Sequence, residues 1–235
     1  PGAGPHAPGR RRRADPPVMD VTMKAVSLMY HDVVEHGSEE ASGFAGPAAA
    51  EYKLEREEFA RHLDAIALAL PGAPSRTIAR VGQCEAGHPV FLTFDDGGVG
   101  AYTTIAPLVE RRAWGGDFFV TTSYVGRPGF LTADQIRALH ERGHSIGSHS
   151  HSHPAWMASC SASDLAREWV TSAQILADIL GEPLRVGSVP GGDYSRRVGA
   201  AIAGAGFDVL FTSRPTTRIE RIDNCLVVGR YVLRR

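Results

Sequence analysis

Short apolar runs alternate along this chain with longer segments in which apolar residues recur at helical spacing. The apolar runs are nearly continuous, which is typical of strands that are buried on both faces of a sheet. Strands are therefore predicted over residues 25–30, 89–94, 117–121, 144–147, 186–189, 207–212 and 226–233.

The segments between these runs carry the signals of helix ends. Thr132 followed by Gln135 is a capping box. Ser163 is the predicted N-cap of a long helix that ends at Gly181. Residues 37–50 are rich in Gly, Ala, Ser and Pro and predict a long loop. Helices are predicted over residues 51–70, 101–113, 132–143, 163–181 and 195–205.

This alternation predicts an α/β fold in which helices cover a parallel sheet. Both a barrel and an open doubly wound sheet satisfy the pattern. The polar motifs directly follow strands, and in a barrel those strand ends converge on one mouth. We therefore expect a distorted (β/α) barrel of about seven strands, fewer than the eight of a complete barrel.

Composition narrows the class of protein. The length of 235 residues suits one large α/β domain, and the net charge of −1 argues against nucleic-acid binding. Residues 1–22, which include a basic run, are expected to be a disordered tail, and residues 23–235 to form the domain. No stretch approaches the ~20 apolar residues of a transmembrane helix.

The three cysteines, Cys84, Cys160 and Cys225, lack the spacing of a metal site. Reduced thiols and the lack of a visible signal peptide favour a cytoplasmic location, with a periplasmic or secreted one open if a leader was removed. The sequence leaves the oligomeric state open.

Two polar clusters follow predicted strands. Asp95 and Asp96 come directly after the run 89–94, and His149 and His153 follow the run 144–147. Buried carboxylates are unfavourable unless they are paired or bound to a cation. The two histidines are four residues apart, so one local turn can direct both rings at one point. One acid with two imidazoles suits a catalytic divalent metal.

In that interpretation Asp96 joins the histidines as a ligand, and Asp95 remains free to act as a base. An isolated Asp-Asp pair is also compatible with a turn or a helix cap, and a His-Ser repeat with a polar loop. The occurrence of both motifs at strand ends of one α/β chain favours the metal site.

Residues 93–97 and 143–154 together resemble the polysaccharide deacetylase family, which is also called the NodB homology domain or carbohydrate esterase family 4. The resemblance covers roughly residues 25–233. It implies a distorted barrel and metal-dependent removal of acetyl from N-acetylated sugars. Asp95 is implied as the base, with Asp96, His149 and His153 as metal ligands. The implied metal is zinc, with cobalt, nickel or iron as substitutes. The intervening His151 matches a variable position and is expected to face outward.

The chain departs from the family at two points. Ser188 stands where members usually carry the Arg that orients the base, although the turn at Pro190 and Gly191 is kept. The Gly191 N–H is the implied oxyanion donor, and Tyr194 follows in the same segment. The C-terminal Leu-x-His motif that supplies the general acid in most members is also missing.

His31, in the Tyr-His-Asp segment that ends the first predicted strand, is a candidate for this acid. It resembles the arrangement in members related to poly-N-acetylglucosamine deacetylases. First and last strands are neighbours in a barrel, which would bring His31 to a similar place. Arg230, in the last strand, is a candidate contact for the base or the substrate.

The expected function is hydrolysis of the N-acetyl group of an N-acetylated sugar or polysaccharide. Two alternatives stay open, namely a metal-dependent hydrolase of a non-sugar amide or imide and a non-catalytic carbohydrate-binding relative. Tyr124, Trp156 and Tyr194 follow strand ends and could line a sugar groove.

Overall fold

The computed structural model describes residues 24–70, 78 and 89–235. The expected tail over residues 1–22 and Cys84 lie outside these residues. The described strands are β1 (Val26–Tyr30), β2 (Asp32–Val34), β3 (Lys53–Glu55), β4 (Val90–Phe94), β5 (Asp117–Val120), β6 (Ser145–Ser148), β7 (Val186–Ser188), β8 (Val209–Phe211), β9 (Ile219–Ile222), β10 (Cys225–Val228) and β11 (Tyr231–Val232).

The α-helices of the described part are α1 (Pro47–Ala50), α2 (Arg56–Ala69), α3 (Ala106–Glu110), α4 (Ala133–Glu141), α5 (Ala162–Leu180) and α6 (Arg196–Gly204). A π-helical turn over Ala101–Ile105 leads into α3, so the helix predicted over residues 101–113 has two parts. None of the described helices is both long and apolar enough to cross a bilayer.

Within the described residues, nine strands form one curled sheet with the order β11-β1-β4-β5-β6-β7-β8-β10-β9. Its neighbours run parallel except at the edge, where β9 is antiparallel to β10. The predicted α/β barrel is confirmed. The strand count is higher than expected because the last apolar run is divided into two strands and because β9 was not predicted.

The last apolar run joins the two ends of the sheet. β10 pairs with β8, and β11 pairs with β1, where Tyr231 lies opposite Leu28. Between the two strands, Gly229 lies close to a neighbouring segment, and an added Cβ there would lie 2.5 Å from the Arg214 carbonyl oxygen. First and last strands are therefore neighbours, as the sequence predicted for a barrel.

Two helix starts differ from the prediction. Residues 53–55 form β3 beside β2 instead of the first turns of a helix, because the buried Lys53 ammonium donates to the carbonyls of Glu39 and Ser42. The N-cap of α5 is Ser161 rather than Ser163, and its hydroxyl accepts the Asp164 N–H at 3.1 Å. The capping box of Thr132 and Gln135 is present at α4.

Candidate active site

The acidic pair lies at the carboxyl end of β4, as predicted. The Asp95 N–H donates to the Tyr30 carbonyl at 3.0 Å, which extends the pairing with β1 by one residue. Asp96 then takes a φ of 76°, in the left-handed region that is unfavourable for a residue with a Cβ. The reversal of the chain at Asp96 gives the two neighbouring carboxylates different surroundings.

Asp96 and two histidines form a compact set of donors. Asp96 Oδ1 lies 3.4 Å from His149 Nε2 and 3.5 Å from His153 Nε2. One donor atom from each residue lies within 4.8 Å of the other two. His149 Nδ1 lies 3.1 Å from the Ser188 carbonyl oxygen, which can only accept, so the ring proton is on Nδ1 and the Nε2 lone pair faces Asp96. This chemistry fits a divalent cation.

The loop after β6 is held by a buried glutamate. Glu168 of α5 accepts the N–H groups of His151 and Ser152 at 2.9 and 2.7 Å and the Ser152 hydroxyl at 2.6 Å. The His153 N–H donates to Ser150 Oγ at 3.1 Å. His151 Nδ1 lies 2.9 Å from Thr122 Oγ1, and the ring is not part of the donor set. The sequence did not predict a role for Glu168, because it occupies an ordinary polar position in a predicted helix.

Within the donor set, Asp96 and His153 shift each other's pKa. Burial alone would raise the pKa of Asp96, but its interactions with the His149 and His153 rings hold it far below its usual range. Burial alone would lower the pKa of His153, but the hydrogen bond to Asp96 raises it. Asp96 therefore stays ionised and available as a ligand.

Asp95 is held by Arg230. The fully buried guanidinium donates to both carboxylate oxygens, with Nη1–Oδ1 at 2.7 Å and Nη2–Oδ2 at 2.8 Å. The Ser188 hydroxyl donates to the same carboxylate at 3.2–3.3 Å and accepts from Arg230 Nη2 at 2.7 Å. Burial would raise the pKa of Asp95, but Arg230 and His149 keep it below its usual range.

Arg230 thus contacts Asp95, the predicted base, which is one of the two contacts predicted for it, and the guanidinium is fully buried. It lies between β10 and β11, with its guanidinium 5.7 Å from the Phe119 ring centre and 5.8 Å from that of Phe211. Arg230 lies two residues after Val228, the last residue of β10, and continues its side-chain alternation, as Ser188 and Val186 alternate with Gly187 in β7. The carboxyl ends of β4, β7 and β10 therefore meet at Asp95.

His31 lies beside the acidic pair. Its ring is 4.5 Å from the Tyr52 ring, and its buried Nδ1 has no hydrogen-bond partner in the described part of the chain. Burial lowers the pKa of His31, against the attraction of Asp96 and Asp95. A cavity of about 370 Å³ has polar and apolar walls, which include His31, Asp95, Asp96, His153, Gly191, Met29, Phe44, Ala48, Ala49, Tyr52, Val232 and Arg234.

Other predicted site residues have different surroundings. Gly191, with a φ of 59°, lines the cavity, whereas Pro190 is buried beside it. The Tyr194 ring is covered by the Arg214 guanidinium at 4.8 Å, and Trp156 is 72% exposed. Tyr124 packs against Phe44 and Phe130. Pro190, Tyr194, Tyr124 and Trp156 are not among the described residues that line this cavity, and a sugar contact for them stays a prediction.

Phe44, Ala48 and Ala49 of the apolar wall belong to the segment 37–50, which was predicted as a loop. Phe44 packs on the His153 ring at 5.0 Å. Tyr52, from the helix predicted over residues 51–70, packs on His31. The segment contains α1 and a short 3₁₀ helix over Glu39–Ala41. The sequence signal that could have identified Phe44 is its aromatic side chain within a Gly-rich segment.

Known proteins resemble this chain in sequence. A family profile described as Polysaccharide deacetylase matches residues 82–210. A chitin deacetylase from Arthroderma benhamiae is 32% identical over 115 residues, which are 47% of this chain and 29% of that protein. The match thus spans less than a third of the length of this relative.

Solved structures resemble it in fold. IcaB from Ammonifex degensii superposes with a TM-score of 0.74 at 22% identity, covering 90% of this chain and 92% of that one. The Streptococcus pyogenes deacetylase PplD, in complex with acetate, gives 0.75 at 20% identity, with 90% and 93% covered. A de-N-acetylase from Aggregatibacter actinomycetemcomitans gives 0.73 at 18% identity, with 90% and 95% covered. At these identities the similarity establishes the fold.

Proposed function

The chain belongs to the polysaccharide deacetylase family, and on this premise we propose that it hydrolyses the acetamide of an N-acetylated sugar and releases acetate. One observation carries the proposal. The carboxylate of Asp95 lies 3.8 Å from His149 Nε2, next to the donor set, and Arg230 keeps it ionised. A base is therefore placed beside a cation site, as hydrolysis of an unreactive amide requires.

Asp96, His149 and His153 would hold the metal, which we propose to be zinc, with cobalt, nickel or iron as substitutes. When bound, the cation would polarise the acetamide carbonyl and make water more acidic. Phe44 shields His153 on the cavity side, which limits the directions from which substrate reaches the site.

Asp95 and His31 carry out the two proton transfers of the reaction. Asp95 accepts a proton from the attacking water, and its bidentate contact with Arg230 fixes the direction of its oxygens. The Gly191 N–H donates to the oxygen of the tetrahedral centre. His31 gives a proton to the sugar nitrogen as the C–N bond breaks, and its lowered pKa makes its imidazolium a stronger acid. The products are acetate and a free amine.

The first test is acetate release from acetylated sugars, compared with a panel of small non-sugar amides and imides. Chelation should abolish turnover, and added zinc should restore it. Asp95→Asn should bind zinc at the wild-type stoichiometry and lose activity by about 10²–10⁴-fold, the usual contribution of a general base. Turnover of the amides but not of the sugars would show that the substrate is a non-sugar amide or imide. Full activity of Asp95→Asn would show that Asp95 is not the base.

A second test concerns His31. His31→Ala should lower kcat by about 10²–10⁴-fold for an unactivated acetamide. An acetyl ester has a leaving group that needs less protonation, so its hydrolysis should be impaired much less. His36→Ala, at an exposed histidine beside Glu55, is the matched control. Equal losses on the amide and the ester would point to a structural role for His31.

A further inference from the structure

An arginine without an acidic partner lies at the mouth of the cavity. Arg234 is exposed and lines the cavity together with His31 and Asp96. Its guanidinium lies 4.8 Å from the centre of the Tyr52 ring, and Tyr52 contacts the His31 ring at 4.5 Å. The three side chains form a continuous row of contacts from the proposed acid to the solvent.

The nearby acidic groups do not neutralise Arg234. No carboxylate of the described residues lies within ion-pair distance of it. Glu39 and Glu55 pair with Arg235 instead. Glu51 borders an outer groove with both arginines but forms no ion pair there. The guanidinium is therefore available to a ligand, and its stacking on Tyr52 holds the planar fork that suits carboxylate and phosphate oxygens.

A second arginine adds to the positive charge. Arg214 stacks on Tyr194 at 4.8 Å and, in the part of the chain that is described, forms no ion pair. Its neighbour Ser213 lines the cavity with Gly192. Three carboxylates line the cavity. Asp95 is bound by Arg230, and Asp96 faces the two histidines. Asp32 is buried and accepts the Val33 N–H at 2.8 Å, and burial raises its pKa to about 6.

We infer that the substrate carries a carboxylate or a phosphate group, which Arg234 binds on the Tyr52 side of the cavity. The inference rests on the proposed function, since His31 can protonate the acetamide nitrogen only if the sugar lies beside Tyr52. The anionic group is then on the sugar that is deacetylated or on its neighbour. Arg234 is thereby a specificity-determining residue.

The test compares acids with neutral counterparts of the same shape. N-acetylmuramic acid is paired with its methyl ester, and N-acetylglucosamine 1-phosphate with methyl N-acetylglucosaminide, with the zinc-loaded full chain at low salt. For one of the two acids, kcat/KM should exceed that of its neutral counterpart by roughly tenfold or more. Which acid is preferred distinguishes carboxylate from phosphate.

Arg234→Gln should remove this preference, mainly through KM, and Arg234→Lys should restore part of it. Arg218→Gln is the control, because it removes the same charge at the opposite end of the barrel. There the backbone of Arg218 forms an isolated β-bridge with Lys24, before β1. This variant should keep the preference for the acid. Equal kcat/KM for acids and neutral counterparts, or an equal loss on both in Arg234→Gln, would overturn the inference.

Binding separates this inference from the proposed function. Calorimetric titration of the metal-free wild-type protein, in which no metal ion can attract the anion and Arg230 stays paired with Asp95, should show tighter binding of an acid than of its neutral counterpart. Arg234→Gln should abolish that difference. If no sugar is deacetylated, the proposed function fails, yet this titration still decides the role of Arg234: equal binding of the acids and the neutral sugars contradicts it.

Discussion

At the scale of single residues, this chain has Ser188 where the family motif usually has an arginine, and another arginine contacts Asp95 from elsewhere in the chain. Arg230 comes from the junction of β10 and β11 and binds both oxygens of Asp95. The small Ser188 side chain forms hydrogen bonds with both Asp95 and Arg230. A guanidinium at position 188 would compete with Arg230 for this space, so the serine at position 188 and the arginine at position 230 depend on each other.

Arg230→Lys tests this positioning role. Lysine keeps the charge but cannot form the two parallel hydrogen bonds, so Asp95 should lose its fixed direction. We expect kcat to fall by about 10²-fold with little change in KM or in zinc content. Arg230→Met, which leaves a buried carboxylate unpaired, should also lower the free energy of unfolding by about 3–5 kcal/mol.

Ser188→Ala is the matched control, because it removes the longer contacts to Asp95 and the hydrogen bond from Arg230 Nη2 but keeps the bidentate pair of Arg230 and Asp95. Its free energy of unfolding should change by about 1 kcal/mol, and its kcat should fall less than that of Arg230→Lys. Steady-state kinetics and urea denaturation measure both effects. A wild-type kcat in Arg230→Lys would show that the bidentate contact does not position the base.

At the scale of elements, the loop after the acidic pair is packed directly on β2. Gly100 has helical dihedral angles, with φ −56° and ψ −27°, so its backbone alone would favour alanine. An added Cβ, however, would lie 2.1 Å from Asp32 Oδ1 and 2.7 Å from the Val33 carbonyl oxygen. The Gly100 N–H also donates to Ser42 Oγ at 2.7 Å, which joins the loop to the cavity wall.

Gly100→Ala should therefore be destabilising in spite of its better helix propensity. We expect the free energy of unfolding to fall by roughly 1–3 kcal/mol, the usual effect of overpacking. Gly204→Ala in α6, where no atom lies within 4 Å of the added Cβ, is the control and should be neutral or stabilising by up to about 1 kcal/mol. Equal melting temperatures for the two variants would contradict the packing argument.

The contrast between these elements explains what the sequence could predict. The donor set was predictable because its members are adjacent to strands or four residues apart, so local geometry brings them together. Residues 53–55 and the 37–50 segment were mispredicted because Lys53 and its contacts with distant carbonyls, rather than local propensity, decide their conformation. Arg230 lies far from Asp95 in sequence, and only the closure of the barrel makes them neighbours.

At the scale of the whole molecule, the barrel interior contains a second carboxyl group. Asp117, at the start of β5, is completely buried and accepts the Ile78 N–H at 3.0 Å, while its Oδ2 has no partner in the described part of the chain. Burial raises the pKa of Asp117 to about 7, although hydrogen bonds from Ile78 and Ser145 and the charge of Arg230 oppose the shift. The group is therefore protonated in the folded protein under mildly acidic conditions.

Stability should depend on pH through this group. In the unfolded chain an aspartate has a pKa of about 3.9, so between about pH 4 and pH 7 the folded state binds more protons than the unfolded state. The contribution of Asp117 to the free energy of unfolding is thus fully present below about pH 4 and is lost as the pH rises through about 7. The amide introduced by Asp117→Asn is neutral in both states. The stability of this variant relative to wild type should consequently increase from pH 4 to pH 8, by on the order of 1–3 kcal/mol.

Urea denaturation at a series of pH values measures this difference directly. Asp178→Asn, at an exposed aspartate of α5, is the control and should follow the wild-type profile at each pH. Because each variant is compared with wild type at the same pH, the titration of the histidines and of the acidic pair cancels to first order. A constant difference between Asp117→Asn and wild type across the range would mean that Asp117 is ionised in the folded barrel, with Arg230 near enough to compensate its burial.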